Sequence, residues 1–321
     1  MNNLFLCRTP LQALYVELIL NNINSGSNNY VYYLKPADNQ FQEQAVVNLK
    51  NNNLLNDVFV DELFTRKNKV KSIAEHIFCI RKAISYFKSK RFDNVYVSSI
   101  ECIPFQLLLS NIIYTDLYTF DDGSANVNLN SSYHTKRKTH PIFIILSKLF
   151  SNNHSKEKIL ISSQLHYTML SGKNIIDNTR SMSNYWFEKK CDIPKVGIKR
   201  RKEKVTVFLG TVYTDLTKDH DVLLELIRNK YGNIDYYFPH PRSDDKLFQS
   251  KVLSDFNISE VKLITLLEKY NEVHVISFPS TVILHLQNVP GFSFEILRLK
   301  SLEFDYNCFC GDGITYHDID I

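Results

Sequence analysis

The sequence predicts an α/β protein made of two Rossmann-like halves. Three observations carry this. Short apolar runs with strand character alternate with segments whose apolar residues recur at helical spacing. The length of 321 residues exceeds one ordinary domain and fits two. A polar, basic stretch from Gly172 to about Lys204 interrupts the alternation and places the crossing between domains there.

The first half opens with a buried strand at Leu4–Cys7, a turn at Arg8-Thr9-Pro10 and a helix over Leu11–Leu20, with proline preset for a first helical turn. Strands follow at Val31–Leu34 and Val58–Val60. Ile73, Ile77, Ile80, Ile84 and Phe87 share one face of a helix over Lys71–Phe87, which leads to the strand Val95–Val97. A helix over Ile103–Ile113 precedes the strand Leu117–Phe120, the segment Pro141–Phe150 reads as a short apolar helix, and Ile159–Ile161 is a candidate to return to the sheet. The second half repeats the alternation. Strands are expected at Val205–Leu209, Ile234–Phe238, Val273–Ser277 and Phe292–Leu297, with helices over Asp221–Lys230, Val261–Tyr270 and Thr281–Gln287. Two such halves give the GT-B architecture, in which the ligand lies between them.

Composition narrows the class. Hydrophobic residues are 44% and charged residues 22%, ordinary for a globular protein, and a net charge of +4 gives no case for nucleic acid as partner. The basic runs His134–His140 and Lys199–Lys202 read as a solvated loop and a linker; the first, leading into Pro141–Phe150, also admits contact with an anionic membrane surface. Cysteines 7, 79, 102, 191, 308 and 310 form no CxxC pair, which points to reduced thiols in a cytoplasmic protein without a zinc site. The amino-terminal residues lack a signal-peptide pattern, and no apolar stretch approaches the ~18–20 residues of a spanning helix.

Chemistry-bearing residues gather at predicted strand ends. In Phe238-Pro239-His240-Pro241-Arg242 two prolines fix the backbone around one histidine and a permanent cation follows, so a titratable donor sits beside a fixed charge. Gly210, Thr211 and Asp215 follow the strand Val205–Leu209, although an aspartate there could equally cap the next helix. Ser277, Ser280 and Thr281 flank a helix start whose free N–H groups suit a phosphate, and simple capping explains Ser280 as well. Asp121-Asp122-Gly123 ends a first-half strand, where two adjacent carboxylates cannot both be buried without partners; a plain Asp-Gly turn is the alternative. Glu260 opens a helix, where it either complements the helix dipole or accepts from a ribose.

The order of these motifs resembles the bacterial sialyltransferases of GT-B type, which share an acidic motif ending in glycine, a His-Pro motif and a paired serine/threonine motif. Here they stand as Asp121-Asp122-Gly123, His240-Pro241 and Ser280-Thr281. Cys7-Arg8-Thr9-Pro10-Leu11-Gln12 and Phe238-Pro239-His240-Pro241-Arg242 look most like glycosyltransferase family 52, the lipooligosaccharide and capsule sialyltransferases. The resemblance implies an acceptor-side domain over 1–190 and a CMP-sugar domain over 191–321. It implies inverting transfer of sialic acid from CMP-sialic acid to a galactose-terminated glycan. His240 would act near the leaving phosphate, Ser280 and Thr281 would hold it, and Asp215 would be the base. Asp219 is the fallback, and related families use the position of Asp121. Thr9, Asp122, Gly123, Gly210, Thr211, Pro241, Arg242, Glu260 and Ser277 complete the expected substrate contacts. No metal is expected, since Asp318-Ile319-Asp320 reads as a frayed terminus, and family analogy admits a homodimer. Competing readings are a glycosyltransferase using another nucleotide sugar, such as a glucosyltransferase, and a non-catalytic glycan- or nucleotide-binding protein.

Overall fold

A computed structural model of the chain describes residues 1–23, 26–36, 40–63, 69–135, 141–150, 153–182, 185–191, 202–243, 247–253 and 257–321. Most of the basic runs singled out above, 136–140 and 199–201, lie outside the described residues. The chain forms two compact units, Met1–Met182 and Ser183–Ile321.

The first unit holds seven strands and six helices among the described residues: β1 (Asn2–Cys7), α1 (Pro10–Leu20), β2 (Asn28–Pro36), α2 (Gln40–Asn51), β3 (Asp57–Leu63), α3 (Lys69–Phe87), β4 (Arg91–Val97), α4 (Ile103–Leu109), β5 (Ile113–Phe120), α5 (Pro141–Leu149), α6 (Lys156–Ser162), β6 (Ser163–Thr168) and β7 (Thr179–Ser181). The sheet runs β3-β2-β1-β4-β5-β6-β7, every pair parallel, and its order reverses between β1 and β4. Such a sheet needs cover on its faces, hence the near-continuous apolar strands. Leu4, Leu6, Tyr32, Val95, Val97 and Leu117 pack against Phe87, Phe105 and Leu108 of α3 and α4 in the main core. Leu146 of α5 joins Ile80 and Leu107 in a smaller one, while Ile144 and Leu149 of the same helix stay exposed.

The second unit contains α7 (Tyr185–Cys191), β8 (Lys202–Leu209), the single turn α8 (Tyr213–Leu216), α9 (His220–Lys230), β9 (Tyr236–Phe238), α10 (Ser259–Leu266), β10 (Tyr270–Ser277), α11 (Thr281–Leu286), β11 (Phe292–Leu299) and β12 (Ile314–Ile319). Its parallel sheet runs β12-β11-β10-β8-β9 and reverses between β8 and β10. Phe208, Tyr237, Ile276 and Leu297 meet Leu223 and Ile227 of α9 in its core. α7 belongs to this unit: buried Trp186 lies 5.7 Å from the His285 ring, and Lys190 donates to the Pro290 carbonyl.

Several expected elements shift. Ile159–Ile161 lies in α6, not in a strand, because Ser155 caps a helix there through Lys158 N and only Ile159 is fully buried; the sheet resumes at Ser163. The helices expected to reach Ile113 and Tyr270 stop at Leu109 and Leu266, since Ile113 and Tyr270 already pair in β5 and β10. Asp318 is not frayed: it pairs within the edge strand β12, and Arg298 grips it with Nε at 2.8 Å and Nη2 at 3.0 Å. Among the described residues no helix is long and apolar enough to cross a membrane, and Cys7, Cys79, Cys102, Cys308 and Cys310 are free thiols.

Candidate active site

In the second unit the carboxyl ends of β8 and β9 bring together Gly210, Asp215, His240 and Arg242. Gly210 N donates to Phe238 O at 2.8 Å, tying the two strand ends together. A Cβ at 210 would lie 2.5 Å from Tyr237 Oη and 3.1 Å from His240 N, so only glycine lets β8 pass this close to the histidine turn. Beyond Thr211, itself half-buried, the single turn α8 carries an exposed Asp215. Pro241 and Arg242 are exposed, and Arg242 Nη2 stands 4.0 Å from Asp215 Oδ2.

His240 is half-buried, and its Nδ1 accepts the Arg242 backbone N–H at 3.1 Å. That acceptor role places the neutral ring's proton on Nε2, which is left as a donor for a ligand. Burial pushes the imidazole below its ordinary range, the Arg242 cation adds to this, and Asp215 opposes both. Asp219 stands at the N-cap of α9 without a side-chain capping bond.

The other expected contacts of this unit divide. Ser280 caps α11, its Oγ accepting Val282 N at 3.2 Å, with half-buried Thr281 next to it. Ser277 is buried and donates to the Phe278 carbonyl at 2.7 Å, so its hydroxyl serves the strand end itself. Glu260 is also buried, with Oε1 2.8 Å from His285 Nδ1.

In the first unit Asp121 and Asp122 follow directly on β5 with opposite surroundings. Asp121 has no exposed surface. His166 Nε2 lies 3.0 Å from Oδ1, and the Thr168 hydroxyl at 3.0 Å and Met169 N–H at 2.7 Å donate to Oδ2. This bridges β5 to β6. Asp122 is only half-buried and is met by Gln12 Nε2 at Oδ1 and by the Tyr133 hydroxyl at Oδ2. Burial raises its carboxyl above the usual range, against the pull of Tyr133, Ser99, Arg8 and Gln12. Gly123 turns the chain away with φ of 92°, a left-handed conformation that explains the glycine. Thr9 caps α1, its Oγ1 accepting Gln12 N at 3.2 Å. Tyr133 and His166 carry no motif in the sequence: Tyr133 lies in a polar turn after β5 and reaches back to Asp122, while His166 meets Asp121 because β6 pairs with β5. Among the described residues no three His, Cys, Asp or Glu side chains are placed to hold a metal ion.

Two parallel α/β units with polar side chains at their strand ends are the architecture of a GT-B glycosyltransferase. A solved structure, the glycosyltransferase of kitacinnamycin, shares the fold with a TM-score of 0.51 at 11% identity, covering 99% of this chain and 86% of that one. The sequence profile of glycosyltransferase family 52 matches residues 22–301, and the chain belongs to that family. It is 23% identical over 318 residues to an N-acetyllactosaminide alpha-2,3-sialyltransferase of Haemophilus influenzae, covering 98% of this chain and 99% of that protein. It is 26% identical over 310 residues to a CMP-N-acetylneuraminate:beta-galactoside alpha-2,3-sialyltransferase of Pasteurella multocida, covering 93% and 91%.

Proposed function

We propose that this glycosyltransferase moves sialic acid from CMP-sialic acid to a galactose-terminated surface glycan, with inversion and an α2,3 linkage. Family membership and the activities named for both full-length relatives support the donor, the acceptor class and the linkage. The single observation that carries the mechanism is the convergence of Asp215, His240 and Arg242 beyond the ends of two neighbouring strands. The Asp215 carboxylate accepts the proton of the acceptor hydroxyl, whose oxygen bonds to the anomeric carbon while the bond from that carbon to the CMP phosphate oxygen breaks. His240 Nε2–H and the Arg242 cation face the charge that develops on the leaving phosphate, and the Ser280–Thr281 turn adds hydroxyl and amide donors. The Arg242 cation and the neutral His240 donor supply this stabilisation, and on this reading the reaction needs no metal. The protein works in the cytoplasm. The exposed apolar residues of α5 together with the basic residues 136–138 suit the inner membrane face, and a homodimer fits the family analogy.

The test is release of CMP from CMP-sialic acid by purified protein, with and without lactose, in EDTA. Lactose-stimulated, EDTA-resistant release is expected, with an α2,3-linked product. Asp215→Asn should lower transfer by at least about a hundredfold, the scale of a lost general base, while CMP binding is retained. Turnover of UDP-sugars with CMP-sialic acid untouched would replace the donor, and near-normal turnover by Asp215→Asn would move the base elsewhere.

A further inference from the structure

Asp122 is half-buried and fixed by a cluster of polar side chains. Gln12 Nε2 and the Tyr133 hydroxyl take one oxygen each, and the backbone N–H of Asp122 donates to Asn126 Oδ1 at 2.7 Å. The holders are themselves fixed. Gln12 Oε1 accepts Arg8 N–H at 2.7 Å, and its Nε2 also donates to Ser99 Oγ at 3.0 Å. Beneath them Asp121 locks the turn to β6 through His166, Thr168 and Met169, and Asn126 Nδ2 faces His166 Nε2 at 3.4 Å. The cluster stands where the strand order reverses between β1 and β4, the crevice in which open parallel sheets take ligands. A carboxylate has about four lone-pair sites, and the two side-chain donors met among the described residues leave capacity for a further one. A hydroxyl of a neutral sugar can supply that donor; a phosphate, lacking one and repelled by the charge, cannot.

We infer that Gln12 and Tyr133 are positioning residues, which orient Asp122 so that it accepts a hydroxyl of the acceptor sugar. This rests on the proposed reading of the chain as a transferase acting on a galactoside, and it gives Asp121 the part of a buried anchor, not of a base.

The experiment compares wild type, Tyr133→Phe, Gln12→Leu, Asp122→Asn and the Asp122→Asn/Tyr133→Phe double variant, all as the full chain. Steady-state kinetics with CMP-sialic acid and lactose are paired with lactose binding by saturation-transfer NMR without donor. Tyr133→Phe keeps the ring and its packing, and loses only the hydroxyl. It and Gln12→Leu should each raise the lactose KM and Kd about tenfold, leaving kcat and the donor KM within about twofold. In the Asp122→Asn background Tyr133→Phe should add nothing, because its effect passes through Asp122. Unchanged lactose affinity in Tyr133→Phe, equal losses for donor and acceptor, additivity with Asp122→Asn, or no lactose binding by the wild type would each overturn the inference. Lactose binding that Tyr133→Phe weakens, in a protein that transfers no sialic acid, would sink the proposed donor and leave the positioning roles standing.

Discussion

His240 shows how few neighbours are needed to set one group's chemistry. Its proton location follows from a single backbone bond, and its charge state from burial, Arg242 and Asp215. Removing Arg242 takes away a repelling cation, so Arg242→Gln should raise the imidazole pKa; Asp215→Asn removes an attracting anion and should lower it. NMR titration of the His240 ring protons checks both signs, and shifts in the opposite directions would mean that the three groups do not interact as the geometry states. Gly210 supports the same turn by having no side chain. Gly210→Ala forces a methyl against Tyr237 and the His240 amide and should cost about 1–3 kcal/mol in an unfolding titration. At this scale the sequence was informative: the prolines, Arg242 and Gly210 mark the turn because each restricts the backbone or leaves room in it. It said nothing of which aspartate of Asp121-Asp122 is enclosed, since adjacent residues point to opposite sides and only the neighbouring strand decides what each side meets.

Elements carry the register that brings these residues together. The parallel pairing Leu209↔Phe238 places the residues after β8 and β9 side by side, and the match of Phe120 with Tyr167 puts Asp121 next to Thr168. Strand apolarity made the major strands legible, while short or polar elements such as β7, α8 and β12 carry too little periodicity to declare themselves. The link between α5 and α6 supplies a pH test. His154 sits between Ser110 Oγ at 3.0 Å and the Tyr114 hydroxyl at 2.6 Å, and burial together with Lys158 lowers its pKa. Its neutral form is favoured in the folded chain, so this contribution to stability is present above the unfolded value of about 6.5 and is lost as pH falls below it. The Tm of the wild type should therefore drop between about pH 7.5 and pH 5.5 more steeply than that of His154→Gln. Equal slopes would show that His154 does not protonate on unfolding.

At the scale of the molecule, each unit has its own parallel sheet, its own core and its own reversal of strand order. Two ligands should therefore leave separate footprints. Hydrogen exchange with CMP should slow amides in 239–243 and 280–283, whereas lactose should slow those in 8–12 and 121–133. Protection of the same segments by both ligands would contradict a division of substrates between the units.

The sequence by itself determined the α/β class, the two halves and the family motifs, because apolar periodicity, proline and glycine act locally and are written in neighbouring residues. Tertiary structure alone decided that Asp121 is buried against His166, that Glu260 is paired with His285, and that Gln12 and Tyr133 close on Asp122. Those contacts join residues from 11 to 110 positions apart, and Gln12 reaches Asp122 across 110 of them because β1, β4 and β5 lie side by side. No local pattern encodes such a meeting, since it depends on which strands become neighbours and in what register.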